Sequence, residues 1–409
     1  MTESIQQYSF TLYGARYVKG PWESIAATIQ IRAGSIADIS QTLCHGPISR
    51  NDIDLDGFLL MPGLINAHDH LAFALFPKLG NPPYRNYIEW GEDIHRQFSE
   101  CIAKHKSIPK DVRVLWGGIR NLLCGVTTVS HHDAFSPVML TKGFPVKVVQ
   151  TNGWAHSPAL GGNLHAARKA TRPGGTFVLH ACEGIDDLAY EELWKLDRVG
   201  LLDAETVLVH GLAIDAIGVE LMRQRATSLI VCPSSNNFLF ERLPDISLLA
   251  KIEKIALGSD SPLTAEGDLL DELHFIMRYC GVAPHAAYRM VTETSSEILR
   301  LESGTGRIKI DGPGDLVAIR DTGQDIAARL PQLSHRDIEL VIINGSVQLA
   351  SEALIDRLPH SLKQCMEPLW VDGSTRWLRA PVGMLLEQAE KVLGIGQVKL
   401  GGKSIHIPV

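Results

Sequence analysis

Short apolar runs that end in polar residues recur through the middle of this 409-residue chain. Helical stretches separate the runs, as in parallel βα units, where buried strands are apolar on both faces. The pattern predicts an α/β fold with a (β/α)8-type TIM barrel over residues 61–309. The runs are Gly63–His70, Thr127–Asp133, Val146–Asn152, Thr176–Glu183, Thr206–His210, Ser228–Ser235 and Lys254–Asp260.

Seven runs are one fewer than an eight-stranded barrel requires. The gap falls between Asn152 and Thr176, in a stretch that is rich in Gly and Pro. Two interpretations follow from the sequence. Either a short strand lies near Ala155–Ala159, or the fourth βα unit is shortened and the barrel is truncated there.

Both ends of the chain instead show short alternating runs separated by polar turns, a pattern typical of antiparallel strands. We therefore expect one composite β-sandwich domain, built from residues 1–60 and 310–409. In the tail, helical spacing over Met384–Val392 predicts a helix that packs on the sandwich or on a partner subunit. The predicted strands are Phe10–Val18, Ala26–Ile31, Ile36–Ile39, Asp315–Arg320 and Ile338–Leu349, the last broken at Asn344-Gly345.

Composition narrows the class of protein. The formal net charge is −7 and no Lys/Arg-rich run occurs, so we expect neither a nucleic-acid nor an anionic membrane partner. The seven cysteines form no C-x-x-C pair, which favours a reducing compartment over a disulfide framework. The start of the chain has no charged segment followed by an apolar one, and no apolar run reaches the roughly 18 residues of a membrane span. A cytoplasmic protein is the expectation.

His68 and His70 end the first run. Side chains at positions i and i+2 of a strand point to the same face, so both imidazoles can reach one ion. Imidazole and carboxylate are the usual ligands of zinc and related divalent metals. The pair therefore predicts half of a metal site.

The other candidates also end apolar runs, namely His180, His210 and Asp260. The carboxyl ends of barrel strands face the active site, so these side chains should converge on the histidine pair. A structural role for Asp260, as the cap of the following helix, is the alternative. Glu183 follows His180 by three residues, where a carboxylate can take a proton from water and pass it to a leaving nitrogen.

Several segments together resemble the amidohydrolase superfamily, in particular its aminohydrolase branch of cytosine, guanine and S-adenosylhomocysteine deaminases and triazine hydrolases. The resemblance spans residues from roughly 56 to 350. Its motifs are MPGLINAHDHL at 61–71, CGVTTV at 124–129, HACEG at 180–184, VHG at 209–211, CPSSN at 232–236, LGSDSP at 257–262 and GRIKIDGPGDLVAI at 306–319.

The resemblance implies a barrel with a β-sandwich formed from both chain ends. It also implies one divalent metal ion, zinc or alternatively iron, held by the four ligands His68, His70, His180 and Asp260. Glu183 would be the proton shuttle and His210 would orient water or substrate. Asp260 would in addition accept a proton from the water. Dinuclear members carry a bridging lysine at a strand end, whereas Lys147 opens its run, which favours a single metal.

Candidate substrate contacts follow the strand ends. His156, in Ala155-His156-Ser157-Pro158, matches a substrate-touching histidine of the branch in a shorter segment. Trp154 can stack on a flat heterocycle or belong to the core. Asn236 can hydrogen-bond a ring or form a turn, and one residue of His131, His132 and Asp133 should face the pocket, with His131 as the candidate.

The predicted activity is hydrolytic deamination of an amino-substituted nitrogen heterocycle, a reaction at a C–N bond that is not a peptide bond. The first alternative is hydrolysis of a cyclic amide, an alkylamine or a halide at the same site. A catalytically silent binding protein is the remote alternative, although every expected ligand is present. We expect a small-molecule substrate and a homo-oligomer, a dimer in the simplest case.

Overall fold

The computed structural model describes residues 9–41, 49, 51–265 and 267–408. Cys44 and the first eight residues, which entered the predictions above, lie outside the described residues. Within the described part of the chain, no helix has the length and apolar character needed to cross a membrane.

The strands are β1 Ser9–Tyr13, β2 Arg16–Gly20, β3 Glu23–Ala26, β4 Thr28–Arg32, β5 Ser35–Ser40, β6 Ile53–Asp54, β7 Phe58–Pro62, β8 Leu64–Asp69, β9 Val126–His131, β10 Lys147–Val148, β11 Gly153–Ala155, β12 Phe177–Ala181, β13 Thr206–His210, β14 Ser228–Val231, β15 Ile255–Leu257, β16 Leu316–Arg320, β17 Leu340–Ile343, β18 Ser346–Ser351, β19 Glu367–Val371, β20 Ser374–Leu378, β21 Lys399–Leu400 and β22 Lys403–His406.

The α-helices are α1 Tyr87–Gln97, α2 Ser99–Lys106, α3 Lys110–Leu123, α4 Leu164–Lys169, α5 Asp187–Arg198, α6 Ala216–Arg225, α7 Pro233–Phe240, α8 Ile246–Leu249, α9 Leu269–Tyr279, α10 Pro284–Met290, α11 Glu293–Ile298, α12 Ile326–Arg329, α13 Glu352–Ile355, α14 His360–Lys363 and α15 Val382–Leu393.

The middle of the chain forms two parallel sheets, which confirms the predicted α/β character. One sheet has the strand order β10-β9-β8, and the other runs from β11 to β15 in chain order. The end of β8 lies close to the segment that follows β15, because the Asp260 N–H donates to the His68 carbonyl at 3.1 Å. A Cβ added at Gly258 would lie 2.5 Å from the His68 Cβ, so this close approach requires glycine.

Each of the seven predicted runs overlaps a parallel strand. A further short strand, β11, ends at Ala155, where the predicted Ala155–Ala159 strand would begin, and it pairs in parallel with β12. A short strand thus exists in the gap but lies before the predicted position, because Pro158–Leu160 form a 3-10 helix. The three residues of β11 are too few to produce an apolar run, which is why the pattern did not locate it.

The two chain ends form two further sheets. The larger has the order β21-β22-β19-β20-β18-β17-β16-β7-β2-β3, and the smaller the order β5-β4-β1-β6. Alternate residues of β7 face different clusters of buried side chains. Phe58 and Leu60 pack with Leu12 of the smaller sheet, whereas Leu59 and Met61 pack with the residues around the parallel strands.

The predicted single strand Phe10–Val18 is wrong in one respect. It consists of β1 and β2, which belong to different sheets. Gly14 separates them with a φ of +81°, and a Cβ there would lie 2.8 Å from the Asp56 nitrogen. A side chain is therefore excluded where the chain passes from one sheet to the other.

The tail helix predicted over Met384–Val392 is confirmed as α15. It packs against α2 and α3 of the middle region as well as against β19. The fully buried Trp116 of α3 donates its indole N–H to the Leu385 carbonyl at 3.3 Å. The tail is therefore packed on the parallel-strand region in addition to the sheet.

Candidate active site

The predicted ligand residues lie at the carboxyl ends of parallel strands. His68 is inside β8 and His70 follows it, while His180 is the last residue but one of β12 and His210 the last residue of β13. Asp260 follows β15 by three residues. The regular apolar strands thus bring together side chains that are far apart in sequence.

The backbone at three of these strand ends is left-handed although none of the residues is glycine. The φ angles are +56° at Cys182, +77° at His210 and +51° at Asp260. Such a conformation costs of order 1–3 kcal/mol per residue and concentrates at functional sites, where the surrounding structure maintains it. The strain here turns His210 and Asp260 at the points where their strands end.

Imidazole and carboxylate groups form a compact cluster at these strand ends. The His68 and His180 Nε2 atoms lie 3.1 Å apart. One Asp260 carboxylate oxygen lies 3.8 Å from the His68 Nε2 and 3.6 Å from the His70 Nε2. Two groups of three residues each have their candidate ligand atoms within 4.8 Å of one another. One group is His68, His70 and Asp260, and the other is His68, His180 and His210.

Burial favours the neutral form of these histidines. It is the largest cause that holds the pKa of His68 and of His180 well below 6.5, and neighbouring histidines lower both values further. The facing Nε2 atoms of the neutral His68 and His180 rings can share at most one hydrogen atom. At least one of these nitrogens therefore directs a lone pair into the cluster. Three imidazoles and a carboxylate with available lone pairs fit a divalent metal ion such as zinc.

Glu183 lies beside this cluster, two residues beyond the end of β12, and is 6 % exposed. Its Oε1 is 3.6 Å from the His210 Nε2. Burial, followed by the negative charges of Asp260 and Glu192, raises the pKa of Glu183 well above 4.5. A carboxyl group that retains a proton at higher pH is suited to taking up and releasing a proton during a reaction.

His210 is oriented by Asn236 of α7. The His210 Nδ1 donates to the Asn236 Oδ1 at 3.1 Å, so the Nε2 carries the lone pair when the ring is neutral. Burial is the main cause that lowers the pKa of His210. The predicted ring contact Asn236 thus uses its oxygen for His210, while its buried Nδ2 has no partner within the described residues.

His132 is a member of the cluster that the sequence did not single out. Its ring stacks on His180 with a centroid distance of 4.2 Å and an interplanar angle of 18°. The His132 Nε2 donates to the Ala155 carbonyl at 3.0 Å. With His156 and His180 it forms a further group of three potential ligands within 4.8 Å. The two adjacent histidines at the end of β9 were the available signal, but they did not indicate which one turns inward.

His131, the residue chosen from the sequence, instead faces the segment that follows His70. Its Nδ1 accepts the Leu71 N–H at 3.3 Å. Trp154 and His156 both lie near the cluster, since each ring contacts His132, with centroid distances of 5.5 and 6.1 Å. His156 is exposed and Trp154 partly buried, so both side chains have a surface that a ligand can reach.

Hydrogen bonds join the start of α1 to the loop that carries Glu183. Asn86 caps α1 by accepting the N–H groups of Ile88 and Glu89, and its Nδ2 donates to Asp186 at 2.6 Å. The Tyr87 N–H donates to the Glu183 carbonyl at 3.3 Å. These contacts fix the position of Glu183 relative to the helix.

Lys147 does not join the site, because it forms ion pairs with Asp315 and Glu302.

Comparison with known proteins identifies the same family as the motifs. The model of the "Amidohydrolase family" matches residues 161–347. The fold is similar over 94 % of this chain to that of an adenosine deaminase from Xanthomonas campestris with bound zinc, with a TM-score of 0.67 and 16 % identity over 97 % of that chain. The chain is thus similar to the amidohydrolase family over residues 161–347. The resemblance inferred from the sequence motifs is therefore confirmed.

Two further proteins are similar to this chain, one in sequence and one in fold. A 5-methylthioadenosine/S-adenosylhomocysteine deaminase of Halobacterium salinarum is 23 % identical, over 79 % of this chain and 88 % of that protein. An atrazine chlorohydrolase of Arthrobacter aurescens, complexed with zinc, has a similar fold with a TM-score of 0.70 and 15 % identity, over 94 % of this chain and 99 % of that one. The α/β content and the parallel strands are those of a TIM-barrel-type fold.

Proposed function

We propose that this chain is a metal-dependent hydrolase that removes an amino group from a nitrogen heterocycle. The observation that carries the proposal is the pairing of the buried Glu183 with His210 beside the histidine–aspartate cluster. The deaminases among its relatives and the zinc bound in similar structures support this assignment. The substrate is then a small molecule, and the reaction cleaves a C–N bond that is not a peptide bond.

The proposed architecture is a (β/α)8 barrel over residues 61–309 with a composite β-sandwich from residues 1–60 and 310–409. The contact between Asp260 and His68, which joins the last parallel strand to the first, supports closure of the barrel. The buried cluster shared by the two end sheets supports the sandwich.

The proposed metal ligands are His68, His70, His180 and Asp260, for one zinc ion or alternatively one iron ion. A bound divalent metal lowers the pKa of water from 15.7 toward about 7 and so supplies a nucleophile at neutral pH. The distance of Lys147 from the site supports a single ion over a lysine-bridged pair, because its ion pairs with Asp315 and Glu302 hold it elsewhere.

The remaining residues of the site transfer protons or orient the reacting groups. Glu183, protonated at the start, delivers its proton to a ring nitrogen, while the Asp260 carboxylate accepts one proton of the attacking water. Glu183 then takes the second water proton and gives it to the amino group, which leaves as ammonia, and the proton on Asp260 restores the Glu183 carboxyl group. His210, held by Asn236, directs its Nε2 lone pair at the reacting centre, where it can accept a hydrogen bond from the attacking water and orient it. Trp154 and His156 supply an aromatic face and a hydrogen-bonding edge for the heterocycle.

The test combines metal analysis with a substrate panel. The protein is purified without added metal, its metal content is measured, and ammonia release is assayed with aminopurines, pterins, aminopyrimidines and triazines. About one metal per chain together with ammonia from a panel member supports the proposal and gives the substrate class. One metal per chain with other hydrolysis products would replace the deaminase by the alternative that uses a cyclic amide, alkylamine or halide. A protein that binds no metal contradicts the proposed site.

A further inference from the structure

A network of fully buried polar side chains lies behind the His68–His70 pair. Its five members, each at most 3 % exposed, are Asn66, Asp69, Arg120, Asn121 and Ser259. It contains one carboxylate and one guanidinium, which form an ion pair at 2.7 Å. Buried charges are retained only where they are paired and hydrogen-bonded, so the network must be considered as a unit.

Arg120 joins the end of β8 to the segment after β15. Its Nη2 donates to the Asp69 Oδ1 at 2.7 Å, to the Ser259 Oγ at 3.1 Å and to the Asp260 carbonyl at 2.9 Å. Its Nη1 donates to the Gly267 carbonyl at 2.9 Å. A single side chain of α3 thus contacts both segments that carry the proposed ligands, as well as the turn before α9.

The remaining members fix the carboxylate that orients the guanidinium. The Asp69 Oδ2 accepts the Asn121 Nδ2 at 2.6 Å and the Asn66 Nδ2 at 3.3 Å. Asn66 also donates to the Ser259 Oγ at 2.8 Å and accepts the Ser259 N–H at 3.0 Å. Both oxygens of Asp69 are therefore occupied, and the fork of Arg120 has one defined direction.

Asp260 depends on contacts of this kind because its backbone is left-handed, with a φ of +51°. Its N–H donates to the His68 carbonyl and its carbonyl accepts from Arg120. Its Oδ1 accepts the Ser261 N–H at 2.8 Å, and its Oδ2 accepts the Thr264 Oγ1 at 3.3 Å. The Asp260 carbonyl also accepts the Ser259 Oγ–H at 3.2 Å. Without Arg120 this carbonyl loses the shorter and charged of its two donors, and the residue can relax toward an ordinary backbone conformation that turns the carboxylate away.

We propose that Arg120 is a positioning residue that holds the Asp260 carboxylate against the His68–His70 pair, with Asp69 as its charge partner. The inference rests on the ligand set proposed above. Lysine cannot replace it fully, because an ammonium on a flexible stem lacks the planar fork that reaches Asp69, Ser259 and two carbonyls together. Loss of this contact should weaken metal binding by about 10–100-fold, the effect typical of residues that orient metal ligands.

The experiment compares Arg120→Met with Arg376→Met. Arg376 is also buried and donates to the backbone carbonyls of His335 and Arg336, but it lies in the end sheet. Metal affinity is measured by competition with a chromophoric chelator, and thermal unfolding is followed for the metal-free proteins. We expect both variants to have a lower Tm and only Arg120→Met to bind metal 10–100-fold more weakly.

Arg120→Lys provides the second comparison, and it serves alone should the methionine variant not fold. It keeps the charge beside Asp69, so it should recover more of the Tm than of the metal affinity. Metal affinities within twofold of wild type in both Arg120 variants would overturn the positioning role and leave the proposed ligands in place. A wild-type protein that binds no metal would contradict the ligand set itself, and with it the role of Arg120.

Discussion

The stability of the metal-free protein should decrease steeply on mild acidification. Burial is the first cause that holds the pKa values of His68, His132 and His180 well below 6.5. The unfolded chain, whose histidines titrate near 6.5, therefore binds protons more readily than the folded chain. The stabilising contribution is complete well above pH 6.5 and is lost as the pH falls through 6.5 toward the folded-state values.

The size of the effect follows from these three side chains. One pH unit below the unfolded-state value, each buried neutral histidine lowers the free energy of unfolding by about 1.4 kcal/mol. Together they should remove about 4 kcal/mol between pH 7.5 and pH 5.5, out of the roughly 5–15 kcal/mol typical of a folded protein. Burial also lowers the pKa of His210, which acts in the same direction. Burial raises the pKa of Glu183, which acts in the opposite direction because the folded chain holds that proton more tightly than the unfolded chain.

The assay is chemical denaturation at pH 7.5, 6.5 and 5.5 in the presence of a metal chelator. His132→Gln can still donate to the Ala155 carbonyl but does not titrate, so its loss of stability between pH 7.5 and pH 5.5 should be about 1.4 kcal/mol smaller than that of the wild type. His95→Gln, at an exposed position of α1, is the matched control and should leave the loss unchanged. The comparison between variants cancels the opposing contribution of Glu183, so an equal loss in the wild type and in His132→Gln would refute the reasoning.

Two further predictions concern the active site. Glu183→Gln should lower kcat by about 10²–10⁴-fold at nearly unchanged KM, as measured by steady-state kinetics. Glu339→Gln, at another buried glutamate, is the control. Full turnover in Glu183→Gln would contradict the role of Glu183 as proton shuttle. Gly258→Ala should lower the metal content, because its Cβ would lie 2.5 Å from the His68 Cβ, whereas a Cβ at Gly91 meets nothing within 4 Å. Equal metal content in the Gly258→Ala and Gly91→Ala variants, by elemental analysis, would show that the β8–β15 contact adapts.

The strand ends could be predicted from the sequence because each parallel strand is a separate apolar run. Such a run marks its own carboxyl end, and the parallel pairing of the strands brings those ends to the same edge of each sheet. β11 lacks this signal, since its three residues Gly153–Ala155 include no sustained apolar pattern. The alternation of buried and exposed positions could not decide between His131 and His132, for a different reason. β9 ends at His131, so the alternation of faces no longer applies to the next residue.

The Arg120 network shows which information a periodic pattern lacks. Arg120 lies on a helix, where a charged residue is ordinarily expected at the surface, and its partner is 51 positions away. The sequence nevertheless contained half of the signal. Asp69 lies in a strand buried at every position, and a carboxylate in that setting requires a cation or several donors beside it. Its presence between two proposed ligand histidines therefore predicts a buried partner, although only the packing of α3 against the segment after β8 identifies that partner as Arg120.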